Sequence, residues 1–218
     1  MLSEFMKNLP TQTTADITYY INSTAGDDDN DGLTSGEPFE TLEYAISLLT
    51  NKTINHNITL TLVNSAAAFD VLTLDSFKGK GSIILVSTTS FDIEGLSFTD
   101  CTCNIEMETF TVTDVIEITR CKSVSLKGLV SDTVTGTGVN VVDSNVVMTG
   151  CDIQSATVRN LLVEGEADVS IEDCDFEVEV GEILIKDGAT LYEIGTGNTH
   201  NTFDTTYNGQ VLAIDRTA

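Results

Sequence analysis

The sequence predicts an all-β chain wound into a right-handed parallel β-helix, a solenoid closed at its start by one short capping helix. Three observations carry this. From about residue 57 onward, short apolar–polar alternations rich in Thr follow one another to near residue 195, the pattern of strands. Four of these segments repeat one another at a step too short for a self-sufficient domain. Only one stretch, 39–49, has helical spacing.

Residues 1–16 are polar with scattered apolar side chains and read as an N-terminal arm. The next unit, 17–56, opens with the strand pattern Thr18-Tyr19-Tyr20-Ile21-Asn22 and runs into Gly26-Asp27-Asp28-Asp29-Asn30-Asp31-Gly32, a run of turn formers. A helix follows. Pro38 suits its first position, with Ser35 or Gly36 as cap. Phe39, Leu42, Ala45, Ile46 and Leu49 form one apolar stripe.

The repeat occupies 57–195. Its four segments begin at Phe91, Val124, Val146 and Val169, starts that lie 33, 22 and 23 residues apart. Each has apolar residues at its first, third and sixth places and a turn residue at its fifth: Gly95, Gly128, Gly150 and Asp173. Preceding strands stand six and eight places back, at Ile83 and Leu85, Ile116 and Ile118, and Leu161 and Val163. Val139-Asn140-Val141-Val142 falls one place out of phase. The long first step is read as a protruding loop or extra strand pair around 101–113. A degenerate fifth unit runs from Ile183 through Tyr192. Such units cannot bury their own apolar faces, so stacking them, about six turns at ~4.8 Å each, is the solution. The segment 196–218 is rich in Thr, Asn and Gly. Its group Val211-Leu212-Ala213-Ile214 reads as a closing strand.

Composition limits function. The chain has 218 residues, 34 Asp and Glu against 10 Lys and Arg, and a net charge of −24. That balance argues against nucleic-acid binding and against anionic membranes. No apolar run is long enough to span a bilayer, and the first residues carry an acid and lack a signal-peptide core. Five cysteines in such a chain read as reduced, buried thiols.

The opening pattern carries a resemblance: Tyr20 in a strand, then Gly26-x-Asp28-x-Asn30-x-Gly32, then Pro38-Phe39-x-Thr41-Leu42-x-x-Ala45-Ile46. This resembles the start of pectate-lyase-like right-handed parallel β-helix proteins, especially phage tail spikes, tail fibres and related virion appendages. The resemblance implies a structural or receptor-binding component of a phage tail or baseplate. It would be a homotrimer made in the host cytoplasm, attached to other tail proteins and turned toward a host-surface glycan. The alternative it implies is a polysaccharide lyase or glycoside hydrolase acting on such glycans. The chain is far shorter than the large tail spikes.

Asp27, Asp29 and Asp31 with Gly32 match the first half of a calcium loop, but position twelve is Pro38. A solvated turn is the competing reading. Glu164, Glu166, Asp168, Glu172, Asp173, Asp175, Glu177, Glu179 and Glu182 form an acidic cluster. With Val169, Ile171, Cys174, Phe176, Val178 and Val180 inward, Glu172, Asp175, Glu177 and Glu179 point out. Paired carboxylates hydrolyse glycosides, yet there is no Trp and Phe176 is assigned to the core, so a solvated acidic face is favoured. Arg120, Lys122 and Lys127 are the basic cluster that lyase chemistry would use. Cys151 and Cys174 occupy equivalent repeat places, which predicts a thiol ladder in the core. His56 and His200 are isolated, and Cys101-Thr102-Cys103 is too tight for a usual zinc pair. No catalytic set, metal site or cofactor is assigned from the sequence.

Overall fold

The structure is a computed structural model. It describes residues 11–64, 69–131, 136–154, 159–176, 182–195, 197–199, 203–205 and 209–214. The chain winds as a parallel β-solenoid of about six turns. Every strand pair among the described residues is parallel, with register shifts at Arg159/Leu161, Ile21/Asn22 and Val86/Phe91, and each turn is a rung with three faces.

Face one stacks nine strands among the described residues: Ile17–Asn22, Ile58–Asn64, the first part of Ser82–Ile93, the first part of Asn104–Val112, Ser123–Lys127, Asn145–Thr149, Asp168–Glu172, Thr190–Ile194 and Gln210–Ile214. Face two is short, two or three residues per rung, as in Val130–Ser131, Asp152–Ile153 and Asp175–Phe176. Face three stacks Leu72–Asp75, Leu96–Thr99, Ile116–Thr119, Thr137–Val142, Arg159–Glu164, Glu182–Ile185 and Phe203–Thr205.

Alternation puts two side chains per face-one strand inward. One column runs Ile58, Ile83, Ile105, Val124, Val146, Val169, Leu191, and the next runs Leu60, Leu85, Met107, Leu126, Met148, Ile171. All are essentially fully buried. Burying each such side chain stabilises the fold by about 1.5–3 kcal/mol, so every rung is fastened by the rungs above and below it.

The expected column holds for Val124, Val146 and Val169, which are direct neighbours. The Phe91 segment does not belong with them. Phe91 and Ile93 sit on face two, paired with Phe110 and Val112, while Ile83 and Leu85 are on face one. The residues read as a protruding loop or extra strand pair contain strand, Asn104–Val112, which supplies faces one and two of a rung between Ser82–Ile93 and Ser123–Lys127. Alternation looks the same on every face, so a match in apolar spacing alone does not fix which face a segment occupies. Val139-Asn140-Val141-Val142 is in register with both Ile116–Thr119 and Leu161–Glu164. Its apparent slip is one residue fewer in the following corner, where the Ser144 hydroxyl accepts from Cys121 N at 2.9 Å.

The helix is Leu42–Ser47, shorter than 39–49. Its cap is Thr41, whose Oγ1 accepts from Tyr44 N at 3.2 Å, rather than Ser35 or Gly36. Pro38 and Phe39 precede it because Phe39 bridges to Ile21 on the outer edge of face one, on the side of Ile17–Asn22 away from Ile58–Asn64. Phe39, Leu42, Ala45 and Leu49 are buried as expected, and Tyr19 and Tyr44 stack their rings on Phe39 at 5.4 and 5.0 Å. The helix takes the place in the first rung that a face-three strand takes in later ones. Lys52–Ile54 then continues at the corner, pairing with Thr11–Gln12 on one side and Lys78–Gly79 on the other. At the other end, Phe203–Thr205 and Gln210–Ile214 extend faces three and one.

Candidate functional surface

The rungs turn at three corners, and two of them are columns of left-handed backbone. The corner between faces one and two holds Thr109, Gly128, Gly150, Asp173 and Gly195. The corner between faces three and one, the third corner, holds Ser76, Asp100, Arg120, Asp143, Gly165 and Asp187. Backbone hydrogen bonds tie most of the third column to the next rung, as from Arg120 N to Val142 O at 2.9 Å. Charged side chains therefore stand at a fixed place on the rod's edge.

Arg120 reaches one rung back. Its Nε and Nη2 donate to the two carboxylate oxygens of Asp100 at 2.7 and 2.9 Å. The guanidinium holds the Asp100 carboxyl below the usual range. Lys127 pairs across rungs with Glu108 at 2.7 Å. The basic cluster is thus divided. Arg120 and Lys122 stand at the third corner, and Lys127 at the opposite end of Ser123–Lys127. Arg120 carries a bidentate partner, the arrangement of a structural tie.

The acidic cluster also spreads around the rod. Glu164 ends a face-three strand and pairs with Lys186 at 2.6 Å. Glu166 is at the third corner, where its N donates to Asp143 Oδ1 at 2.8 Å. Asp168 and Glu172 lie at opposite ends of one face-one strand. Asp173 is at the first corner, and exposed Asp175 opens face two, accepting from the Thr199 hydroxyl. Val169, Ile171, Cys174 and Phe176 are buried as alternation requires. Glu177, Val178, Glu179 and Val180 lie outside the described residues. The described members thus lie on several faces and corners of the rod.

In the Asp-rich turn the carboxylates bind backbone. Asp27 Oδ1 accepts from Asp29 N at 2.9 Å, and Asp31 Oδ1 from Leu33 N at 2.8 Å. Asp28 accepts from Glu40 N, Thr41 N and the Thr41 hydroxyl, so it fastens the turn to the helix start. Asn30 Nδ2 donates to Pro38 O at 2.8 Å. Gly32 is required because the Phe39 ring lies 2.3 Å from where a Cβ would be. The spacing of the Gly-Asp-Asn-Gly pattern is thereby explained as a clamp on Phe39. Among the described residues no three His, Cys, Asp or Glu side chains gather as a metal site.

Cys151 and Cys174 are stacked on adjacent rungs in a column with Leu129, buried, as the repeat predicts. A second pair was hidden. Cys101 and Cys121 stack at the third corner, in a column continued by Ser144, Ala167 and Ala189. Their 20-residue separation, close to one rung, is the signal that marks them. The thiols donate to backbone carbonyl oxygens, Cys101 to Leu74 O and Cys151 to Leu126 O at 3.4 Å each, and the neighbouring thiol together with burial pushes Cys101 and Cys151 up. Burial pushes Cys103 up to about 11. His56 stands apart from them, its Nδ1 3.0 Å from the Thr13 carbonyl oxygen, which fixes the proton on Nδ1. His200 lies outside the described residues.

A cleft of about 570 Å3 opens between the helix and the edge of Leu72–Asp75, where no strand pairs. Ile46 and Phe77 line it with Thr50, Asn51, Thr73 and Asp75, and Lys52 and Lys78 stand at its side. Nothing in the sequence pattern marks it, because it exists only where a helix replaces a strand. No family model matches the chain, and no curated protein or solved structure shows significant similarity to it.

Proposed function

We propose that the protein is a structural or receptor-binding component of a phage tail, a fibre, spike or baseplate appendage that attaches the particle to the host surface. In this reading it is a homotrimer, held in the virion by other tail proteins and turned toward a host glycan. The observation that carries the reading is the division of labour along the chain. A clamped Asp-rich turn and helix close one end of a solenoid, and the solenoid's outer charges are paired across rungs or solvated rather than gathered around a reacting centre. Such a rod supplies length, stiffness and a large solvated face, the properties an attachment organ needs.

The test is mass spectrometry of density-purified particles from the source culture, followed by competition of particle adsorption with the purified protein. Presence in the particles and reduced adsorption are expected. Absence from the particles, with unchanged adsorption, overturns the reading. Release of new reducing ends or unsaturated sugars from host polysaccharide by the purified protein would replace it with the enzymatic alternative.

A further inference from the structure

The described residues include eight of the chain's ten lysines and arginines. Five of the eight, Lys52, Lys78, Lys80, Arg120 and Lys122, stand on the third corner in its first four rungs. Arg120 is tied to Asp100, and Lys52 donates to the Leu48 carbonyl oxygen. Lys78, Lys80 and Lys122 are exposed and make no ion pair among the described residues. Thr102 N donates to Phe77 O and Lys122 N to Cys101 O, which sets Lys78, Thr102 and Lys122 in one column. At ~4.8 Å per rung that stripe is about 10 Å long.

The second corner bounds face three on its other side. On the same three rungs it carries Asp70, Glu94 and Asp114, all exposed, with Val71 beside them at 49% exposure. Each face-three strand in this region therefore begins beside a carboxylate, and the corner where it ends is basic on balance, with Lys52, Lys78, Lys80, Arg120 and Lys122 against Asp75 and Asp100. The outward residues between the two edges are the hydroxyl-bearing Thr73, Ser97, Thr99 and Thr119 and the exposed carboxylates Asp75 and Glu117, so the attraction is confined to the two corners.

We propose that a second copy of this chain docks side by side and parallel to the first, its acidic second corner against the first copy's basic third corner. Parallel packing sets Asp70, Glu94 and Asp114 at the heights of Lys78, Thr102 and Lys122. Copies with a charge of −24 repel one another over most of their surface, and this edge is where the sign reverses. The two patches differ, so the contact is heterologous, and repeated rotation about an axis facing face three closes it into a ring. The inference deepens the functional reading and rests on it for the copy number, three, but not for the contact itself.

The experiment mixes natural and nitrogen-15-labelled full-length protein and treats it with a carbodiimide, which joins Lys Nζ to a carboxylate with loss of water. Mixed-isotope links from Lys78 or Lys122 to Asp70, Glu94 or Asp114 are expected. The double variant Lys78→Glu, Lys122→Glu raises the midpoint concentration for assembly by about tenfold or more, with an unchanged circular dichroism spectrum. Adding Asp70→Lys and Asp114→Lys to that variant restores assembly. A monomer at every concentration, or mixed links to Asp143, Glu166 or Asp168 in place of the expected ones, overturns the proposal. A particle-borne protein without the expected links overturns this contact alone. The expected links in a protein absent from particles overturn the functional reading alone.

Discussion

The first and third corners solve one geometric problem with different residues. Both turn the chain with a left-handed residue on each of several rungs. At the first corner three of the five are glycine, which adopts this backbone without steric cost. At the third, Ser76, Asp100, Arg120, Asp143 and Asp187 hold the equivalent place with side chains attached and Gly165 holds it without one, while Gly79 and Gly188 add positive φ at other places in the same corner. A left-handed residue costs about 1–2 kcal/mol when it carries a Cβ. The first corner avoids that cost on three of its five rungs, whereas the third accepts it on most of its rungs and gains charged groups at fixed heights. One corner is specialised for turning, the other for display.

Substitutions sharpen this contrast. The largest effect is expected at Gly165, where an added Cβ would lie 2.1 Å from Asp143 Oδ1, the atom that accepts from Glu166 N. Gly165→Ala should lose about 2–4 kcal/mol, the backbone cost plus a broken hydrogen bond, read from urea unfolding. Gly150→Ala at the first corner meets nothing within 4 Å and should lose only the backbone cost, about 1–2 kcal/mol. Equal losses at the two sites would erase the distinction drawn here.

Arg120→Gly should leave the unfolding midpoint near that of the native chain at low salt, because relief of the left-handed backbone opposes loss of the Asp100 pair. In about 1 M salt, where such a pair is screened, the variant should be the more stable of the two. Acid gives the smallest effect. The folded Asp100 carboxyl titrates below its unfolded value, so its contribution is complete above the ordinary carboxylate range and disappears as pH falls through and below it. A native-minus-Arg120→Gly difference in stability that stays flat through that window would contradict the assignment.

The same contrast explains what the sequence disclosed. Gly128 and Gly150 announce the first corner, and the rungs that contain them were read in phase. Thr109 holds the same place in Asn104–Val112 with a φ of 66°. A β-branched residue there is unusual, so the spacing leaves open whether 101–113 is a loop or added strand and does not mark it as part of a rung. Gly95 supplied the false match, since it is a buried glycine without positive φ, at a different corner. The third corner left no trace, because nothing in the identity of Arg120 announces left-handed backbone. The apolar stripe of the helix was legible, but its start was not. Phe39 fits the stripe by spacing and is spent instead on a bridge to Ile21. The divided basic cluster has the same origin. Arg120 and Lys127 are close along the chain, yet a strand of five residues separates their ends.

One further consequence follows from the helix Leu42–Ser47. A strand in its place would offer unpaired amides and carbonyls to Gln210–Ile214 or Phe203–Thr205 of another molecule. A head-to-tail contact of that kind does not close on itself, so it would grow into filaments. A helix satisfies its backbone internally and cannot template a strand. Six residues of helix thus stand beside the unpaired edge of Leu72–Asp75 and obstruct the approach of another molecule's strand to it.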